Sequence, residues 1–134
     1  PSDLQGPVVR LATMTLDSTS NILVASDDQA LVAAITSSLR ANGFQVCTES
    51  HTRAQPPSLI VLDADLAPEA RARLLHTCRS SPEYAPPPIV ALSTREAVRQ
   101  IAAEEGVWVC LAKPIELDSL LSAVHRISRY TAAP

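Results

Sequence analysis

The sequence predicts one α/β domain, a parallel five-stranded sheet covered by helices on both faces. Short apolar runs alternate with segments of helical spacing, one of the runs is apolar on both faces, and 134 residues suffice for one core but not two. The first run is Ile22–Ala25. Leu31, Ile35 and Leu39 then recur every fourth residue and Asn42-Gly43 stops them, which predicts a helix. Phe44–Thr48 is expected as the second strand, and Ser58–Leu62 as a central third strand. Glu49–Pro57 leaves little room for a helix between those strands, and Gln55-Pro56-Pro57 discourages one, so that helix is expected to be shortened or missing.

Pro68 and Glu69 suit a helix N-terminus, and Ala70, Leu74, Leu75 and Cys78 give that helix an apolar face as far as about Arg79. Ser80–Pro88 holds four of the eleven prolines and reads as a loop feeding the strand Ile89–Leu92. Ala97, Val98, Ile101 and Ala102 predict a helix ending near Gly106, and Val107–Leu111 is the fifth strand. A last helix turns Leu117, Leu120, Leu121, Val124 and Ile127 inward. Residues 1–20 mix Pro, Gly, Ser and Thr around Val8–Leu16 and read as a linker or an added strand; the domain proper spans 21–130, and 131–134 form a tail. No internal repeat or long low-complexity tract interrupts the pattern.

Composition narrows the function classes. A net charge of −3 with scattered Lys and Arg offers no basic stripe for nucleic acid. Cys47, Cys78 and Cys110 are odd in number, widely spaced and set in apolar runs, so they read as reduced core thiols of a cytoplasmic protein. No run approaches the roughly 20 apolar residues of a membrane span, and no export signal is recognisable. His51, His76 and His125 lack ligand spacing, and Trp108 and Cys110 are expected to pack against helices. Only Gly6, Gly43 and Gly106 are present and none belongs to a phosphate-cradling loop, which argues against a nucleotide-binding enzyme.

In an open parallel sheet the ligand crevice lies beyond the carboxyl ends of the strands. There the sequence places Ser26, Asp27 and Asp28 after the first strand, Asp63 and Asp65 after the third, Ser93 and Thr94 after the fourth, and Lys113-Pro114 after the fifth. Hard carboxylate oxygens suit Mg²⁺, and an ammonium with a hydroxyl suits phosphoryl oxygens. Asp63 is then the candidate nucleophile.

These same residues resemble the receiver domain of bacterial two-component response regulators and hybrid histidine kinases. The resemblance covers about Asn21 to Ile127 and rests on ILVASDDQAL at Ile22, SLIVLDADL at Ser58, PIVALST at Pro88 and, most specifically, GVWVCLAKPIELDSLL at Gly106. It implies the CheY-like strand order 2-1-3-4-5, with Asp63 as phosphoacceptor and Asp65 lending a backbone carbonyl to Mg²⁺. Ser93 is implied as the switch hydroxyl, Lys113 as the phosphate-contacting lysine before a cis peptide bond, and Asp27 as the second member of the acidic pair. A histidine kinase or histidine phosphotransfer protein is the implied partner, with other hybrid-kinase domains as a further option. A signalling domain rather than an enzyme is implied, one that assists its own phosphorylation and dephosphorylation.

Three positions depart from the family pattern. Ser26 stands where the family has Asp or Glu, leaving one metal carboxylate missing unless Asp28 compensates. Cys110 replaces the aromatic ring that usually signals output, and Thr94 adds bulk beside Asp63. Structural explanations compete as well: Asp27 and Asp28 suit a helix cap, Asp65 a turn, and Ser93 with Glu96 a capping box. Two functions therefore stand open, a phosphoacceptor domain and a degenerate receiver that binds partners independently of phosphorylation. A stand-alone regulator and a segment of a hybrid kinase fit the chain equally.

Overall fold

The computed structural model describes residues 21–47, 57–78, 87–97, 100, 101, 103 and 106–132. Strands β1 (Asn21–Ala25), β2 (Gln45–Cys47), β3 (Leu59–Asp63), β4 (Ile89–Ser93) and β5 (Val107–Ala112) form one parallel sheet in the order β2-β1-β3-β4-β5. Helices α1 (Gln29–Ala41), α2 (Pro68–Cys78) and α3 (Leu117–Ala132) accompany it, with a 3₁₀ turn at Arg95–Ala97. The α/β class and the strand order implied by the resemblance are those observed. The connection after β2, at 48–56, lies outside the described residues, as do 1–20, 79–86, 133 and 134. The shortened second helix, the possible added strand and most of the helix expected near Ala102 fall there. Helix α3 continues to Ala132, two residues into the expected tail.

Period-two alternation sends the strand residues to two apolar layers. Ile22, Leu59, Val61, Val90 and Leu92 pack with Ile35 and Leu39 of α1 and with Leu120, Val124 and Ile127 of α3. Leu23, Ile60, Leu62, Ile89 and Ala91 face the other way, onto Leu74 and Cys78 of α2. Every residue of β3 and β4 is buried, as expected of central strands covered on both sides. All three cysteines are free, Cys47 and Cys78 buried and Cys110 half-buried. No helix among the described residues is long and apolar enough to cross a membrane.

The ends of α1 follow from local chemistry. Asp28 Oδ1 accepts the Leu31 N–H at 3.1 Å, satisfying a donor of the first turn. At the other end Gly43 N–H donates to the Arg40 carbonyl and Phe44 N–H to the Leu39 carbonyl, with Gly43 at φ 89°. This paired closure requires a left-handed residue, which is why Gly follows Asn42.

One expectation about β5 is corrected. Trp108 is not packed away but 48% exposed. Ile89 pairs with Val107 and Val90 with Val109, so Trp108 is the extra residue of a β-bulge, and β5 is the edge strand of the sheet. Past the bulge, Val109 and Leu111 join the α1/α3 layer, whereas Val107 lies in the α2 layer.

Leu120 is fully buried between α3 and the sheet. Leu120→Ala is expected to destabilise the domain by about 2–5 kcal/mol, and Asp28→Ala, which loses only the α1 cap, by about 1 kcal/mol. Urea unfolding followed by far-UV circular dichroism distinguishes the two; equal losses would mean that the packing just described is wrong.

Candidate functional site

The polar residues converge where β1, β3 and β5 end. Asp63 closes β3, and its backbone remains in the sheet because the following Ala64 N–H donates to the Leu92 carbonyl at 2.8 Å. The alternation that sends Ile22 and Val24, Leu59 and Val61, and Val109 and Leu111 to one layer continues past the strand ends. Carried one step further, it brings Ser26, Asp63 and Lys113 into the same phase.

Contacts among them are direct. Lys113 Nζ donates to Asp63 Oδ1 at 2.8 Å and to Asp65 Oδ2 at 2.7 Å. The Asp65 N–H also donates to Asp63 Oδ1, at 3.0 Å, and the Ser26 hydroxyl donates to Asp63 Oδ2 at 2.6 Å. Asp63 is therefore a nearly buried carboxylate, its side chain 6% exposed, with both oxygens engaged. Burial pushes its pKa up, but the bonds from Lys113, Ser26 and Asp65, with the lysine's charge, outweigh burial and hold it below the ordinary value. Burial likewise lowers the Lys113 pKa, and its bonds to Asp63 and Asp65 and their charges outweigh that and raise it. The pair is ionised at neutral pH.

Placement of the remaining expected residues differs case by case. Asp27 is exposed and lines, with Ser26, Leu66, Ala70 and Arg73, a hollow of about 280 Å³. Asp28 is exposed and its Oδ1 caps α1 by accepting the Leu31 N–H. Ser93 is completely buried and its hydroxyl donates to the Thr94 carbonyl at 3.2 Å; it continues the β4 alternation on the α2 side, opposite in phase to Asp63. Lys113 is delivered by the ladder, its N–H donating to the Ser93 carbonyl at 2.7 Å, and the Lys113–Pro114 peptide is cis. Thr94 is exposed and Cys110 half-buried. His76 and His125 are exposed, the His125 ring lying 5.0 Å from that of Phe44.

Three contacts went unforeseen. Ser26 was noted for the carboxylate it lacks rather than for the hydrogen bond it makes. Asp65 contributes its side chain to Lys113 as well as its backbone to Asp63. Arg71 Nη1 donates to the Ala64 carbonyl at 3.3 Å and steadies the turn that carries Asp65. A hydroxyl one step past an apolar run was a usable signal for the first, while nothing in the spacing singles out Arg71.

Mg²⁺ is commonly held by one or two carboxylates, with water and substrate phosphate completing its octahedron. Asp27 and Asp63, with a main-chain carbonyl, would offer hard oxygens of that kind. Among the described residues no group of three or more His, Cys, Asp or Glu is arranged to hold a metal ion. The hard oxygens of Asp27 and Asp63 would suit magnesium rather than a soft metal.

The pKa directions fix a pH dependence for the metal-free domain. The Asp63 contribution to stability is complete above the ordinary carboxylate value of 3.8 and is lost as pH falls through its lowered folded value. The Lys113 contribution is complete below 10.5 and is lost as pH rises through its raised folded value. In chelator-treated protein, Asp63→Asn is expected to flatten the acid limb of the denaturation midpoint plotted against pH. An unchanged acid limb would contradict an ionised, bonded Asp63.

Comparison with solved structures gives the fold its relatives. A response regulator signal receiver domain from Bermanella marisrubri is 29% identical, with a TM-score of 0.63 over 81% of this chain and 97% of that one. Chemotaxis protein CheY4 of Vibrio cholerae is 19% identical, with a TM-score of 0.66 over 81% of this chain and 98% of that one. A sensor protein from Polaromonas sp. JS666 is 22% identical, with a TM-score of 0.63 over 84% and 98%. No model of a known protein family and no curated protein sequence matches the chain. The strand order and the near-complete coverage of these structures agree: this chain has the fold of receiver domains of the response-regulator, CheY-like type.

Proposed function

We propose that the chain is a phosphoacceptor receiver of two-component signalling in the cytoplasm, with Asp63 as the nucleophile. The observation that carries this reading is the 2.8 Å contact of Lys113 with a buried, ionised Asp63 at the rim of the sheet. An aspartate kept anionic is nucleophilic, and an ammonium beside it is placed to meet phosphoryl oxygens. The domain is proposed to span residues 21–132.

The donor is a phosphohistidine of a histidine kinase or phosphotransfer protein. An Asp63 carboxylate oxygen forms a bond to phosphorus as the histidine N–P bond breaks, and the departing imidazole nitrogen takes up one proton, leaving an acyl phosphate on Asp63. Lys113 shifts its donors from the carboxylate to the transferred group, and Ser93, at the end of the neighbouring strand, is the proposed second donor, which requires the end of β4 to rearrange. Asp27, Asp63 and the Asp65 carbonyl would hold Mg²⁺, which supplies neutralising charge for the incoming phosphate. The added negative charge then alters a surface that another protein reads.

A second reading is favoured by one contact. The Ser26 hydroxyl on Asp63 Oδ2 completes a carboxylate that is already satisfied without phosphate or metal. It supports a degenerate receiver, whether stand-alone or within a hybrid kinase, that binds its partner constitutively, and Cys110 in place of an aromatic switch agrees with it.

Incubation with Mg²⁺ and acetyl phosphate, followed by intact-mass measurement, is expected to add one phosphoryl group. The addition should disappear in Asp63→Ala and fall at least tenfold in rate in Lys113→Ala, as for loss of one charge-stabilising donor. No added mass, together with partner binding unaltered by Asp63→Asn, would select the degenerate receiver instead.

A further inference from the structure

The second oxygen of Asp63 is met by a hydroxyl whose own position is fixed. Ser26 Oγ accepts the Asp28 N–H at 3.0 Å, and Asp28 is itself held at the head of α1 by its cap to the Leu31 N–H. A serine hydroxyl has one proton to donate and two lone pairs. With a lone pair facing Asp28, the proton is aimed at Asp63 Oδ2, at 2.6 Å. This is a charge-assisted bond of the short class, formed by two side chains 37 residues apart.

The two Asp63 oxygens are not equivalent. Oδ1 already serves the Lys113 ammonium and the Asp65 N–H. A cation shared with Asp27 must then be met chiefly by Oδ2, which carries the hydroxyl alone. Asp27 follows Ser26 directly and lines the same hollow. The hydroxyl proton holds one of the two lone-pair directions of that oxygen and lowers its availability to a cation.

The geometry points to Ser26 as a hydroxyl latch: it competes with a divalent cation for Asp63 Oδ2 and sets the cation affinity of the resting domain. The inference rests on the reading of Asp63 and Asp27 as the carboxylates that share a cation. It differs from the simpler view that Ser26 only lacks a charge. A missing carboxylate predicts that removing the hydroxyl changes nothing, whereas a latch predicts that removing it improves binding. Ser26 is a positioning residue in this account, acting through Asp63.

Mn²⁺ alone, titrated into the full chain and followed by the electron paramagnetic resonance signal of the free ion, separates the two views without any phosphoryl donor. Ser26→Ala and Ser26→Gly are expected to bind Mn²⁺ about tenfold more tightly than the unaltered chain, the scale of one hydrogen bond to a charged group. Ser26→Thr, which keeps the hydroxyl, should remain within about twofold of the unaltered chain. Asp63→Asn should abolish the binding. Equal or weaker binding in both hydroxyl-free variants overturns the latch, as does the absence of Asp63-dependent binding in every variant. Failure of acetyl phosphate to label Asp63 would overturn the phosphoacceptor reading and leave this result standing.

Discussion

The contact between Lys113 and Asp63 is what the rest of the site is built around. A carboxylate nearly out of water at the end of a buried strand must either take up a proton or find positive charge and donors. Here the charge comes from 50 residues further along the chain. It arrives because β4 lies between β3 and β5 and the ladder carries on to the Lys113 N–H. The Ser26 hydroxyl and the Asp65 N–H complete the shell, so the cost of burial is met by one full charge and two dipoles. The second ion pair, Lys113 with a half-exposed Asp65, adds orientation more than stability, since solvent screens it.

Much of this architecture was legible in the residues. The apolar runs located all five strands, and apolar residues at every fourth position followed by Asn42-Gly43 marked α1 and its end. The strand-end rule also placed Asp63 and Lys113 at the same rim, where they meet. These features are local, and their chemistry is written in adjacent positions. What the sequence left open depends on register between strands. Whether Ser26 faces Asp63, and whether Ser93 shares the side of Asp63 or the opposite one, follows from which residue stands beside which. A pattern of apolar and polar letters along one strand does not contain that information.

The same distinction explains Asp27 and Asp28. Adjacent acids after β1 suited both capping and metal binding, and residue type alone did not separate the uses. In the β1–α1 turn one carboxylate folds back onto the Leu31 N–H and the other lines the hollow. Ser26, just before these acids, donates to the Asp63 carboxylate where a further acid would repel it.

The bulge at Trp108 governs more than the exposure of an indole. In a strand, counting by twos decides which side each residue faces, and one supernumerary residue converts odd to even from that point on. Val107 belongs to one layer while Val109, Leu111 and, in continuation, Lys113 belong to the other. Without the extra residue the lysine would emerge on the other face of the sheet and the buried aspartate would lose its counterion. The meeting of Lys113 with Asp63 is thus fixed by an irregularity at the far end of the same strand, a dependence of chemistry on parity.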